Sequence, residues 1–273
     1  MPKMREVTTF FREVAVLEYE KIPQKIRRTF KYGDLKLLEA LHYDYISHQN
    51  ELFWGVSEEF EMKFVALFTY HTNRQEGSRT TRKQVEEFMK SRVRKPKTWT
   101  ERELFNSFRA YRYAVSSEMK WNLKHIKKVH KLLLEDLDPL IAGQWKNEDN
   151  VAPGNQPTSS YRQVNDRMKD LLAWLKDHFK KKDLYPPESA LKFYCKFESI
   201  HPFMDGNGRV GRILLNAILE KFQYPHVIFF SENSEEHNSA IKAALDGRWD
   251  KIYKHFLKQV AKTDQAFMPK RKR

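Results

Sequence analysis

The sequence predicts an all-α fold, and three observations carry that expectation. Apolar residues recur at three-to-four spacing in one run after another, helix-start boxes stand ahead of several runs, and glycine or Asp-Pro stops close others.

In order, residues 1–56 read as a mixed helical extension, with Phe10, Phe11, Val14 and Leu17, a break at Ile22-Pro23, and a second run through Leu35, Leu37, Leu38 and Leu41. The next helix puts Phe60, Phe64, Leu67, Phe68 and His71 on one face, runs to Glu76 and stops at Gly77. Thr81 with Gln84, and Thr100 with Glu103, form expected capping boxes; the second precedes Leu104, Phe105, Phe108, Tyr111 and Val115. Tyr111 and Tyr113 fit a helix core better than a base-stacking platform. A run through Ile126, Val129, Leu133, Leu134 and Leu137 ends near Asp138-Pro139, and its His125 and His130 lack paired ligand spacing. Ser160 with Gln163 is expected to cap a helix carrying Val164, Met168, Leu171, Leu172, Leu175 and Phe179. A helix over 188–199 follows Pro186-Pro187, then an extended apolar stretch at 224–230 and amphipathic helices over 235–245 and 249–260.

Composition bounds the function. With 273 residues, 40% hydrophobic and 14% aromatic, the chain can bury a large core. No charged-then-apolar leader opens it and no apolar run approaches a membrane span, so a soluble, cytoplasmic protein is expected. The single cysteine, Cys195, has no partner for an internal disulfide. Fifty basic against 36 acidic residues leave a formal charge of +14, with a tight basic cluster at 269–273. The excess is otherwise diffuse, as on a solvated surface, and no zinc spacing, P-loop, repeat or nucleic-acid-reading motif accompanies it. A basic helical nucleic-acid binder is the alternative from a different class.

The chemistry concentrates in residues 199–216, SIHPFMDGNGRVGRILLN. Gly206, Asn207 and Gly208 at a turn into a helix would offer unpaired backbone N–H groups to an anion, helped by the helix dipole. Arg209 and Arg212 lie three apart on one helix face, and guanidinium forks suit phosphate oxygens. Asp205 is placed to hold Mg²⁺, which takes one or two carboxylates beside phosphate and water. His201 is the candidate general base. Gly206, Gly208 and Gly211 also spell a dinucleotide-binding fingerprint, but Lys196, Glu198, Pro202 and Asp205 interrupt the buried strand it would need.

Residues 201–212 resemble the signature of the Fic family, His-Pro-Phe-x-(Asp/Glu)-Gly-Asn-Gly-Arg-x-x-Arg, and the resemblance extends over roughly residues 60–260. It implies an all-α Fic-type domain with a short β-hairpin flap that transfers AMP from ATP, with Mg²⁺, to a protein Tyr, Ser or Thr hydroxyl and releases pyrophosphate. In that scheme His201 is the base, Asp205 the metal ligand, Gly206, Asn207 and Gly208 the anion hole, and Arg209 and Arg212 the phosphate contacts. Thr72 to Gly77 resembles the family's inhibitory motif, (Ser/Thr)-x-x-x-Glu-(Gly/Asn). The resemblance implies that Glu76 pairs with Arg212 and takes the place of the γ-phosphate; a solvated helix-end glutamate is the alternative. Gly143-Gln144-Trp145 resembles the start of the flap, which would dock a target through Trp145, Lys146 and Val151, although the family commonly has arginine where Lys146 stands. A plain surface loop is the other reading there. The family often has histidine at the place of Tyr194, and a base-contacting tyrosine where this chain has His237 and Asn238.

The organisation expected is a helical extension over 1–56, a catalytic domain over 57–263 including the inhibitory helix, and a disordered basic tail over 264–273. Partners implied are a protein substrate, including the chain itself, and a second copy. Removal of AMP, or transfer of another nucleotide group, is the alternative within the same chemistry.

Overall fold

The structure, a computed structural model, describes residues 35–36, 38–43, 56–91, 95–152, 156–181 and 185–267. The expected run through Phe10 and Leu17, Leu37, and the basic cluster at 269–273 lie outside the described residues. Among them the fold is mostly helical with one small hairpin, as expected.

Helix α1 spans Val56–Gln75. Its end follows from Gly77, whose φ of 87° is left-handed. The Ser78 N–H then reaches Asn73 O at 3.0 Å and the Gly77 N–H reaches Arg74 O at 3.2 Å, the two bonds of a Schellman stop. Helix α2 spans Arg82–Ser91. Its box forms as expected: the Thr81 N–H donates to Gln84 Oε1 at 2.8 Å, and the Gln84 N–H donates to Thr81 Oγ1 at 3.3 Å.

Helix α3, Trp99–Val115, corrects the expected Thr100 and Glu103 box. The box is Thr98 with Glu101, two residues earlier. Glu103 instead points inward, where it accepts from Ser78 Oγ at 2.6 Å and Thr80 Oγ1 at 3.0 Å. The same capping pattern occurs twice in the stretch, and the tertiary demand for a buried acceptor behind Gly77 decides between them. Tyr111 and Tyr113 are core residues.

Helix α4 spans Leu123–Leu134. Strands β1, Val151–Ala152, and β2, Gln156–Pro157, pair antiparallel with Val151 opposite Pro157. Helix α5 spans Val164–Lys181. The expected Ser160 cap does not form: a 3₁₀ turn, Tyr161–Gln163, precedes α5, Ser160 makes no side-chain cap bond, and Asp149 accepts from the Tyr161 N–H at 2.7 Å. A carboxylate brought from the flap thus displaces the local hydroxyl.

The core lies where α6, Pro186–Ile200, packs along α7, Asn207–Lys221. Pro186 and Pro187 sit at the first helical positions of α6, where the missing N–H costs nothing. Helix α7 is buried nearly all round, from Asn207 through Leu219, so it serves as the central shaft of the domain. Gly211 is the close approach. A Cβ there would meet Glu198 Oε1 at 2.6 Å and Tyr194 Cε2 at 2.8 Å. Gly211→Ala is expected to destabilise by about 1–3 kcal/mol through overpacking, despite alanine's better helix propensity. A urea midpoint equal to or above the parent's would contradict this.

The stretch at 224–230 forms no strand in the structure. Its backbone is bonded instead by side chains: Asn216 Oδ1 takes the Val227 N–H, Thr263 Oγ1 the Ile228 N–H and Gln259 Oε1 the Phe230 N–H. Helices α8, Ser234–Leu245, and α9, Asp250–Phe267, complete the domain. Because α9 continues to Phe267, whose ring packs tilted against Phe64 with centroids 5.9 Å apart, residues 264–267 are folded rather than part of a tail. Upstream, Leu35 and Leu38 are buried, and Glu39 accepts from Tyr185 Oη and, at 3.0 Å, from Tyr224 Oη. This part of the extension is therefore built into the same core.

Candidate active site

Between α6 and α7 the chain reverses through the signature loop. His201 follows the last turn of α6 with φ 50° and ψ 61°, a left-handed conformation that a non-glycine residue adopts at a cost. Phe203 is fully buried and anchors the loop. Asn207 closes it: its Oδ1 accepts from the Phe203 N–H at 2.9 Å and its Nδ2 donates to Phe203 O at 2.8 Å. With its side chain so used, Asn207 has only its backbone N–H to offer an anion. Gly206, at φ 74°, starts α7, whose first helical bond is Val210 N–H to Gly206 O. The N–H groups at 207–209 precede that bond, so the loop presents the cradle expected from the glycines.

Arg209 and Arg212 are both buried at the start of α7. Arg209 Nη2 lies 2.7 Å from Asp205 Oδ2, while its Nε is buried without a hydrogen bond. Asp205 is more than half exposed. Among the described residues no group of three or more His, Cys, Asp or Glu could enclose a metal. One exposed carboxylate beside an anion cradle suits Mg²⁺, which borrows its remaining ligands from phosphate and water.

Arg212 faces α1. Its Nε donates to Thr72 Oγ1 at 2.7 Å, and its Nη2 donates to Thr72 O at 3.1 Å and to Glu76 Oε1 at 2.6 Å. Burial alone would lower the guanidinium pKa, but the charge of Glu76 and the neighbouring Tyr194 hold it above its ordinary value. The Glu76 carboxylate also leans on the cradle: a Cβ on Gly208 would sit 2.2 Å from Glu76 Oε1. Glu76 is kept there by the Schellman stop and by Gln75 Nε2 on Phe229 O at 2.6 Å.

These groups open on one cavity of about 510 Å³, within the range of small-molecule sites. Its lining includes Glu76, His201, Asp205 and Arg212, the flap residues Val151, Ala152, Gln156 and Pro157, and Asn238, Ile241 and Lys242 of α8. His237, also on α8, is fully buried, with Nε2 paired to Tyr194 Oη at 2.7 Å. Burial pushes the His237 pKa well down.

Of the expected docking residues, only Val151 is outward, 56% exposed. Trp145 packs on Phe203 at 4.9 Å. Lys146 is buried, with Nζ donating to Asn150 Oδ1 at 2.7 Å and Thr158 Oγ1 at 2.8 Å, so it braces the hairpin from within.

His130 on α4 holds the loop in a way that spacing along the chain could not reveal. Its Nδ1 accepts from the Gly143 N–H at 2.8 Å, its Nε2 donates to Asp205 O at 3.0 Å, and its ring stacks on Phe203 at 3.7 Å. Burial lowers its pKa to about 4. The folded protein thus keeps His130 neutral while the unfolded chain takes up a proton below about pH 6.5. Its stabilising contribution is therefore complete above about pH 6.5 and is lost as pH falls toward 4, by at most about 3 kcal/mol. Urea midpoints at pH 7 and pH 4.5 should differ less in His130→Gln than in the parent; an equal difference would contradict the assignment.

The mostly helical domain thus brings a histidine, the free N–H groups of a helix start and the buried Arg212 to one cavity, with Arg209 buried beside them. Residues 120–219 match the Fic/DOC family, and the chain is related to protein adenylyltransferases at about 27% identity. Protein adenylyltransferase fic-1 of Caenorhabditis elegans is 27% identical over 245 residues, covering 85% of this chain and 46% of that protein. Protein adenylyltransferase Fic of Drosophila ananassae is 27% identical over 183 residues, covering 65% and 36%. The chain spans less than half the length of these curated relatives. Among solved structures, a fragment of Fic-1 from C. elegans superposes with a TM-score of 0.69 at 22% identity, covering 97% of this chain and 77% of that one. A Fic domain containing signaling protein from Bacteroides thetaiotaomicron gives 0.66 at 21% identity, covering 81% and 92%. At these identities the structural likeness speaks for the fold. Among the described residues no helix is long and apolar enough to cross a membrane.

Proposed function

We propose that the chain is a protein adenylyltransferase that moves AMP from Mg-ATP to a hydroxyl of a protein and is held inactive by Glu76. The observation that carries the reading is the shared cavity of His201, the cradle at 206–208 and Arg212, with the Glu76 carboxylate lying against Gly208 and bonded to Arg212.

The backbone N–H groups at 207–209 and the Arg209 and Arg212 guanidinium groups bind and orient the phosphate chain. Arg209 exchanges Asp205 for phosphate oxygens, and its buried unpartnered Nε gains an acceptor. Asp205 then becomes free to hold Mg²⁺, which when bound neutralises phosphate charge and fixes the leaving group. His201 accepts the proton of the target Tyr, Ser or Thr hydroxyl as its oxygen attacks the α-phosphorus; the bond to the bridging oxygen of the β-phosphate breaks, and pyrophosphate leaves. The exposed Val151 edge of the flap, beside the cavity, offers backbone for aligning a target segment by strand addition.

Inhibition is competitive occupation. While Glu76 holds Arg212, the outer phosphate has neither its cation nor room beside Gly208. The test is mass spectrometry of the Glu76→Gly protein after incubation with Mg-ATP, alone and with cell lysate. An added AMP mass on the chain itself or on lysate proteins is expected. Loss of AMP from premodified protein by the parent alone would instead make Glu76 a residue that positions water, and absence of any nucleotide transfer would overturn the reading.

A further inference from the structure

A buried carboxylate without a hydrogen-bond partner is costly, and one lies directly behind His201. Glu198, in the last turn of α6, is 6% exposed, and its Oε1 makes no hydrogen bond among the described residues. Its Oε2 lies 3.7 Å from His201 Nδ1, and that nitrogen is itself buried without a hydrogen bond. The left-handed backbone at His201 ends the helix with the imidazole over its final turn.

Other groups nearby are already committed. Tyr194 Oη pairs with His237 Nε2, and the Arg212 guanidinium is bound by Thr72 and Glu76. On its other side Glu198 lies against the bare face of Gly211, where no Cβ fits, and its charge is also felt by Arg212 and Tyr194, neither of which bonds to it. A leucine would fill such a place at lower desolvation cost, so the carboxylate calls for an explanation beyond packing.

Electrostatics supplies one. A neutral imidazole carries its proton on one nitrogen and a lone pair on the other. With the proton on Nε2, the Nδ1 lone pair would face the carboxylate; with the proton on Nδ1, an N–H faces it. We propose that Glu198 is a positioning residue that fixes His201 as the Nδ1–H tautomer, leaving the Nε2 lone pair free to accept the hydroxyl proton. When that proton arrives on Nε2 the ring becomes an imidazolium, and the Glu198 carboxylate, which takes no proton itself, balances the new charge. A separation of 3.7 Å is longer than a hydrogen bond, and such contacts tighten once substrate fills the site. The inference rests on the reading of His201 as the base.

The experiment has two arms. In the full chain labelled with ¹⁵N-histidine, NMR reads the tautomer of His201, assigned by the signals missing from His201→Ala. The parent is expected to show Nδ1–H, Glu198→Gln to keep it through its amide oxygen, and Glu198→Leu to lose it. An Nε2–H tautomer in the parent, or an unchanged tautomer in Glu198→Leu, overturns the proposal; the parent spectrum decides even if the leucine variant does not fold. In the second arm, with Glu76→Gly present throughout, Glu198→Leu is expected to lower kcat for automodification about 10- to 100-fold, the loss usual when a functional histidine loses its carboxylate. The KM for ATP should stay within about 2-fold, and Glu198→Gln should fall between. Equal kcat in all three overturns it. An Nδ1–H tautomer with no AMP transfer in any variant supports the pairing and overturns the transferase reading instead.

Discussion

His201→Ala is expected to lower AMP transfer by at least ~10²-fold and as much as ~10⁴-fold, the range that a positioned general base supplies. The loss should fall on kcat. Among the described residues the His201 ring makes no hydrogen bond to the cradle at 206–208 or to Arg212, so nucleotide affinity in the Glu76→Gly background should hold while turnover collapses. The fold should survive, because the loop is anchored by Phe203, Asn207 and His130 rather than by the His201 ring. Removing the side chain also leaves the left-handed backbone at 201 in place. The comparison is made with labelled ATP on a Glu76→Gly background, so that both proteins start uninhibited. Automodification at the parental rate would show that another group takes the proton.

Glu76→Gly is expected to act in the opposite direction, raising ATP affinity and automodification by about 10- to 100-fold. That is the weight of one charge-assisted hydrogen bond, about 1.5–3 kcal/mol, no longer competing with the outer phosphate. Arg212 is not stranded by the change. Its bonds to Thr72 Oγ1 and Thr72 O remain, so the guanidinium stays oriented toward the cavity and the penalty usual for an abandoned buried charge is moderated. The variant should therefore remain folded, with a small fall in urea midpoint. Calorimetric titration with ATP and an automodification time course measure the two gains. Absence of both would leave Glu76 a structural ion pair that closes the end of α1 onto α7.

Much of this site was legible in the chain. The contiguous run from His201 to Arg212 contains a loop and the first turn of a helix, and local rules govern both: glycine at the positive φ of 206, free N–H groups at a helix start, arginines three apart on one face. The stop at Gly77 and the box at Thr81 were equally local. Where local rules offered two equivalent solutions, they misplaced the boundary. Thr98 and Thr100 each begin a capping box, and Ser160 was a reasonable cap until Asp149 arrived from the flap. The stretch at 224–230 is apolar enough for a strand, but side chains of α7 and α9 take its N–H groups, so no partner strand is needed.

His130, to which sequence reasoning assigns no role at the site, acts across a long separation. His130 has no motif around it; only the packing of α4 beneath the signature loop sets its two nitrogens between Gly143 and Asp205. Lys146 differs from the family's arginine, and its position along the chain suggested a docking residue, yet its ammonium group is turned into the hairpin. Glu198 interrupts an apolar run on α6, and only the structure sets its carboxylate 3.7 Å from His201 Nδ1.

The sequence by itself determined the helices, the glycine loop with its free N–H groups and the candidate base, because hydrophobic period, capping and the backbone freedom of glycine act over a few residues. The resemblance at 72–77 implies the pairing of Glu76 with Arg212, 136 positions away along the chain; only the tertiary structure shows the 2.6 Å bond and sets the same carboxylate against Gly208. Contacts at that range depend on how α1 docks against α7, a matter of complementary packing that no short stretch of sequence encodes.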